Sequence, residues 1–302
     1  MIYVLLKGRI GNQLFMYALA RKISIETGQE IIFNDAAVRK KNWENSLMQY
    51  NIKNVKYEHK DDILISIKNG ILKQFLMYKV YHFLLRGKDF RKIEKIENKI
   101  KHIYNKNGII ACQNGYKDYS VNNSKNIVLD GYFQSDKYFK EIRKELLGEL
   151  KISEALLQKY PNYDKIVNGN SICISIKIEH NVGSGLYDVC SIDYWKESID
   201  YILTKVENPL FFVCSDNVEY VKKNLIDCEK YDVVTQSKEF TVVESLAVMS
   251  KCKHFIIGNT TFGWWAQYLS ENDDKIVVAP SRWMNVDMPI DIYQDNWHLI
   301  EV

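Results

Sequence analysis

The chain has 302 residues, 46% of them hydrophobic, enough for two domains of about 150 residues, each with a filled core. Its formal net charge of +3 is too small to draw it onto nucleic acid by charge alone. Six cysteines, Cys112, Cys173, Cys190, Cys214, Cys228 and Cys252, lack CxxC or Cys/His ligand spacing, so they read as reduced thiols of a cytosolic protein, not as a disulfide framework or a zinc site.

The first apolar run, Ile2 to Leu6, meets Lys7 and Gly8 after only a few residues. That is too short for the core of a signal peptide, and no later apolar run approaches the roughly 20 residues of a membrane span. The expected location is cytoplasmic, free or peripheral on the inner membrane face. Ile2 to Leu6 reads as a strand. Lys7-Gly8-Arg9-Ile10-Gly11-Asn12-Gln13 follows, and Leu14, Tyr17, Ala18, Arg21 and Ile25 then continue at helical spacing. A strand, a glycine-rich turn and a helix N-terminus open a nucleotide-binding type of α/β unit. Only two glycines are present, and Asn12 and Gln13 stand where a dinucleotide fingerprint would have its third. Two carboxamides are therefore expected to face whatever approaches the turn, although such a turn also closes without a ligand. Glu30 to Phe33 is the next strand, and Asn34-Asp35 sits at its carboxyl end.

From about Asp62 to Lys101, apolar residues such as Ile63, Leu64, Ile67, Phe75, Val80, Phe83 and Leu84 alternate with Lys68, Lys73, Lys79, Arg86 and Lys88 at helical intervals. A basic amphipathic insertion of this kind packs on its own domain with solvated lysines, or lies on an anionic membrane surface; the former is the preferred reading. Ile127 to Phe139 then gives a strand ending in a polar aromatic turn, with a helix over about 138–150. Pro161 and Asn168-Gly169-Asn170 punctuate the chain there, so the domains are placed at 1–160 and 161–302.

The second half alternates regularly. Strands at 171–178, 209–214, 231–235, 254–258 and 275–279 are separated by helices at about 191–205, 217–226, 242–251 and 260–270, the pattern of a parallel sheet with crossover helices. Ligands of such sheets gather at the carboxyl ends of the strands. Those ends carry Lys177, Ser215-Asp216 and Asn259-Thr260-Thr261. At the last of them a buried strand breaks at Gly258 and a helix opens at Asn259 or Thr260, with Phe262 in its first turn. The amides of a helix N-terminus favour phosphate there; ordinary capping is the alternative. His254 reads as a structural histidine, and Trp264, Trp265 and Trp283 as core aromatics.

Five blocks together resemble glycosyltransferase family 11, the bacterial α-1,2-fucosyltransferases, with more distant kinship to protein O-fucosyltransferases. They are Gly8 to Phe15, Gly131-Tyr132-Phe133-Gln134-Ser135, Phe211 to Asp216, Met249 through Trp265, and Ala279-Pro280-Ser281-Arg282-Trp283. The resemblance implies a GT-B architecture, two Rossmann-like domains facing across a cleft, with GDP-sugar held mainly by the C-terminal one and no metal or other cofactor. One departure stands out. Family members carry His-x-Arg-Arg-x-Asp after the first strand of the donor domain, whereas this chain has Ser175-Ile176-Lys177-Ile178-Glu179-His180. Lys177 keeps one positive charge, but an ammonium lacks the planar fork that grips two phosphate oxygens.

Taken together, these residues suggest an inverting glycosyltransferase. It would move L-fucose, or a related deoxy-L-sugar such as colitose, from its GDP donor to a galactoside hydroxyl in α-1,2 linkage, on a surface-polysaccharide acceptor that is free or lipid-linked. Lys177, Thr260, Thr261 and Arg9 would meet the diphosphate, Gly8, Gly11, Asn12 and Gln13 would shape the facing turn, and Ser215 and Asp216 would meet guanine or ribose. Glu179, His180 and Asp35 are the candidate bases. The alternatives are a different nucleotide-sugar donor, or a dead module that only binds glycan or nucleotide.

Overall fold

The computed structural model describes residues 1–121, 125–179 and 183–302. The chain divides into two α/β units, one of residues 1–150 and 287–293, the other of 151–286 and 294–302. Residues 287–293, which the sequence places in the second domain, thus return to the first. There Asp291 accepts the Tyr116 N–H at 2.7 Å and pairs with Lys137 at 2.5 Å.

The first unit is built on β1 (Ile2–Leu5), β2 (Ile31–Asn34), β3 (Val55–Glu58), β4 (Ile109–Cys112) and β5 (Ile127–Gly131), in the order β3-β2-β1-β5-β4. Every neighbouring pair is parallel. β1 is buried along its whole length, which is why its sequence is continuously apolar instead of alternating. Helix Ile10–Thr27 covers one face, with the Tyr17 ring tilted against that of Phe33 of β2 at 6.2 Å between centroids. The other face takes helix Leu72–Leu85, whose Phe75, Tyr78 and Tyr81 pack on Tyr3, Leu5, Ile32 and Val128. With helices Ile63–Lys68 and Phe90–Lys106 it forms the basic insertion.

The second unit contains β6 (Asn170–Ile176), β7 (Pro209–Ser215), β8 (Asp232–Thr235), β9 (His254–Ile257), β10 (Val277–Pro280) and β11 (His298–Ile300), all parallel, in the order β11-β10-β9-β6-β7-β8. The crossover helices Ile192–Leu203, Val218–Asn224, Val242–Met249 and Thr261–Tyr268 lie where the periodicity puts them. This is the doubly wound order, which reverses direction between β6 and β9. Ile172, Ile174, Phe211, Ile256 and Val278 fill one side of the sheet, covered by Tyr194, Trp195 and Ile199 of the first crossover helix. Trp264 and Trp265 are fully buried and Trp283 is nearly so, as core aromatics should be. His254 accepts the Ile276 N–H at 3.1 Å on Nδ1, and burial together with Lys253 lowers its pKa, so it is a neutral structural residue.

Candidate active site

Where the strand order reverses, the connections that leave the carboxyl ends of β6 and β9 run to opposite sides of the sheet, the usual ligand position in such sheets. In the second unit that position is a hollow bordered by Lys177 after β6, by Gly258, Asn259 and Thr260 after β9, and by Trp195 and Tyr220. Thr260 caps the helix Thr261–Tyr268, its Oγ1 accepting the Gly263 N–H at 3.2 Å. A first helical turn has no backbone acceptor of its own, so the amides of Thr261 and Phe262 point out of the helix end. The helix is brought close by Gly263: a β-carbon there would stand 2.9 Å from Ser175 Oγ of β6.

The loops after β6 and β7 are tied together. Ile178 N–H donates to Asp216 Oδ1 at 2.7 Å, and Asn217 Nδ2 donates to Glu179 Oε1 at 3.0 Å. Helix Val218–Asn224 is capped by Asn217, whose Oδ1 accepts the Tyr220 N–H at 3.0 Å. Ser215 is buried and its hydroxyl accepts the Asn217 N–H at 3.0 Å, so it shapes the turn. Asn259 is buried too, donating to the carbonyls of Tyr187 and Trp283 at 3.1 and 3.0 Å. Both are ill placed to offer side chains to a ligand. Glu179 is exposed. His180 lies outside the described residues. Asp188, Cys190, Trp195 and Tyr220 also border the hollow, and no spacing rule in the sequence marks them. Burial raises the Cys190 thiol to about 12, so it stays protonated beside Asn259.

The first unit has its own reversal, between β1 and β5, and residues after both strands meet there. Gln134 Nε2 donates to Asn12 Oδ1 at 2.7 Å. Gly8, at φ +70°, makes that possible: the left-handed turn is open to glycine, and any β-carbon would overlap the Asn12 side chain. Phe133, at φ +53°, is a bulky residue in the same unfavourable region. It is held by the Ser135 N–H bonded to its carbonyl at 2.8 Å and by edge contact with Tyr138. Arg9 is exposed, its guanidinium 5.8 Å from the Trp43 ring, and Gly11 is buried beneath the turn.

Two expectations fail in this unit. Gln13 does not face outward: it is fully buried, donating to the carbonyls of Gly8 and Glu44 at 3.0 and 2.8 Å and accepting the Ser46 N–H at 2.9 Å. Asp35 is unsuited to be a base. Its side chain is wholly buried, and Arg39, Asn45 and His59 meet it at 3.0, 3.1 and 2.8 Å. A buried carboxylate nearby escaped the sequence reading. Asp130, at the end of β5, is paired with Lys7 and with His82 Nε2, the latter at 2.7 Å. Burial alone would raise its carboxyl, but Lys7 and His82 outweigh that and hold it at about 2. Nothing in the spacing of Lys7, His82 and Asp130 links them; the pairing of β1 with β5 and the packing of helix Leu72–Leu85 do.

Among the described residues no group of three His, Cys, Asp or Glu side chains is placed to hold a metal ion. Residues 1–301 match the family described as glycosyl transferase family 11. The O-antigen biosynthesis glycosyltransferase WbnK of Escherichia coli is 27% identical over 317 residues, spanning 98% of this chain and 99% of that protein. An alpha-1,2-colitosyltransferase of Escherichia coli is 28% identical over 163 residues, 51% of this chain and 54% of that protein. The crystal structure of NodZ alpha-1,6-fucosyltransferase soaked with GDP-fucose aligns with a TM-score of 0.52 at 11% identity, over 89% of this chain and 92% of that one. That likeness is one of fold, the GT-B class.

Proposed function

The chain belongs to glycosyl transferase family 11 and is a glycosyltransferase, and from that premise we propose that it moves L-fucose, or a deoxy-L-sugar such as colitose, from GDP to a galactoside hydroxyl. The linkage formed is α-1,2, with inversion at the sugar C1. The acceptor is a surface-polysaccharide repeat unit, lipid-linked at the cytoplasmic face of the membrane. One observation carries this reading: Lys177 and the amide end of helix Thr261–Tyr268 border the same hollow at a strand-order reversal.

The chemistry then divides among these groups. As the bond from C1 to the β-phosphate oxygen breaks, its electron pair leaves with GDP, and Lys177 with the Thr261 and Phe262 amides takes up the charge. The acceptor oxygen bonds to the opposite face of C1 and yields its proton to a base, for which Glu179 and His180 are the candidates. Asp216 is suited to guanine or ribose, since a carboxylate repels phosphate. Arg9 and Asn12 belong to the first unit's own strand-order reversal and are suited to hydrogen-bonding sugar hydroxyls. No metal is required.

A donor screen over GDP-sugars, reading released GDP, tests the proposal, and GDP is expected to raise the melting temperature more than UDP does. Equal or absent shifts would overturn the GDP assignment. The Lys177-Ile178 pair in place of two arginines favours a second reading, a different nucleotide-sugar donor. In that case the GDP-sugars release no GDP, and a parallel panel of UDP-, dTDP- and CMP-sugars shows release of the matching nucleotide.

A further inference from the structure

Helix Leu72–Leu85 has two apolar faces, and its own unit covers only one. Phe75, Tyr78 and Tyr81 are in the core. On the opposite side Leu76, Val80 and Phe83, spaced i, i+4 and i+7, are 52, 53 and 76% exposed. Leu84 widens this stripe, and helix Ile63–Lys68 adds exposed Ile63, Leu64 and Ile67. Seven large exposed apolar residues between positions 63 and 84 make a patch, whereas ordinary soluble surfaces show such residues singly. A helix apolar on both sides needs a partner for the second.

Charge identifies the partner. From Ile63 to Lys88 there is no aspartate or glutamate, against five basic residues. Lys68 and Lys79 pair with Glu58 and Asp61 outside that run. Lys73, one turn before Leu76, and Arg86 and Lys88, just past the helix end, are exposed at the rim of the patch. Apolar side chains with Lys73, Arg86 and Lys88 at their rim, on a run that carries no acid of its own, match anionic headgroups above acyl chains. At 14 residues the helix is too short to span a bilayer, which takes about 20, so it lies in the interface.

We propose that this face seats the enzyme on an anionic lipid surface, with Leu64, Leu76, Val80 and Phe83 reaching the acyl boundary and Lys73, Arg86 and Lys88 among the phosphates. The purpose of the contact rests on the lipid-linked acceptor proposed above, since a surface-bound enzyme meets a substrate confined to that plane. The surface itself is read from the first unit alone.

The test is co-sedimentation of the full chain with phosphatidylcholine vesicles, with and without phosphatidylglycerol. Binding to the anionic vesicles alone, released by high salt, is expected. Val80→Ser with Phe83→Ser should weaken it about tenfold or more, and so should Lys73→Glu with Arg86→Glu, with melting temperature and nucleotide release from the donor unchanged. Absence of vesicle binding at low salt overturns the proposal, as does undiminished binding by both double variants. Light scattering that shows a dimer lost in Val80→Ser/Phe83→Ser, without vesicle binding, assigns the face to a second copy instead. Vesicle binding needs neither donor nor acceptor, so its failure leaves the transferase reading intact, and a negative donor screen leaves this one intact.

Discussion

The backbone N–H of Ile178 donates to the Asp216 carboxylate at 2.7 Å, so the loop that carries Lys177 is fixed by a residue of the neighbouring strand end. In the proposed donor site, Asp216 thus braces the Lys177 loop in addition to any contact of its own. Asp216→Ala should raise the donor KM roughly tenfold, the worth of a hydrogen bond to a charged group. Asp216→Asn keeps an acceptor for Ile178 and should cost less. Equal donor KM values in wild type and Asp216→Ala would remove this brace from the account.

Lys177 is the only basic side chain bordering the hollow among the described residues. Lys177→Ala should lower turnover about 100-fold or more, as expected for loss of one preorganised donor to a developing charge. Lys177→Arg should restore much of it, because guanidinium grips phosphate oxygens in pairs. Thermal melts matching wild type would show that the fold is intact. Full turnover in Lys177→Ala would exclude it from catalysis.

Chelation separates a charge site made of protein groups from one that borrows a cation. Under the proposed mechanism, in which Lys177 and helix amides supply the positive potential, turnover measured by released GDP should be the same with EDTA as with added magnesium or manganese. A loss with EDTA that manganese restores would contradict metal-independent transfer.

Gly8 lies at φ +70° with the Asn12 side chain against it. Gly8→Ala should destabilise by about 1–3 kcal/mol, seen as a melting temperature lower by a few degrees. It should also cut activity beyond that loss, because Asn12 must leave Gln134. A variant with wild-type stability and activity would show that the turn relaxes freely.

Acid sensitivity follows from Asp130. Its folded pKa of about 2 lies below the roughly 3.9 of an unfolded aspartate, so its contribution is fully present above about pH 4 and is lost as pH falls toward 2. The difference corresponds to about 2–3 kcal/mol. Asp130→Asn should flatten the stability profile over that window and leave Lys7 facing a neutral group. A profile identical to wild type would mean that the ion pair does not couple to folding.

The parallel architecture was legible because strands buried on both faces are continuous apolar runs, as at Phe211-Phe212-Val213, and crossover helices show their period. Strands β3, β4 and β11 were not read. All three lie at sheet edges: Val55-Lys56-Tyr57-Glu58 alternates charge, and β11 has only three residues, too few for a period. At the site, the helix cap at Thr260 and the cation at Lys177 were visible as local patterns. The roles of Gln13, Ser215 and Asn259 were not, because a carboxamide or hydroxyl has the same letter whether it faces a ligand or pins a neighbouring carbonyl. The Asp130 cluster joins Lys7, His82 and Asp130, residues that only the pairing of β1 with β5 and the packing of helix Leu72–Leu85 make neighbours.

Residues 287–293 rejoin the first unit, where Asp291 anchors Tyr116 and Lys137. The polypeptide is therefore interlaced, and a gene cut after codon 150 would yield one fragment missing its clasp and another with a stray strap. Chimeras between relatives that exchange donor-side halves would have to trade two separate stretches while leaving this strap with its original owner.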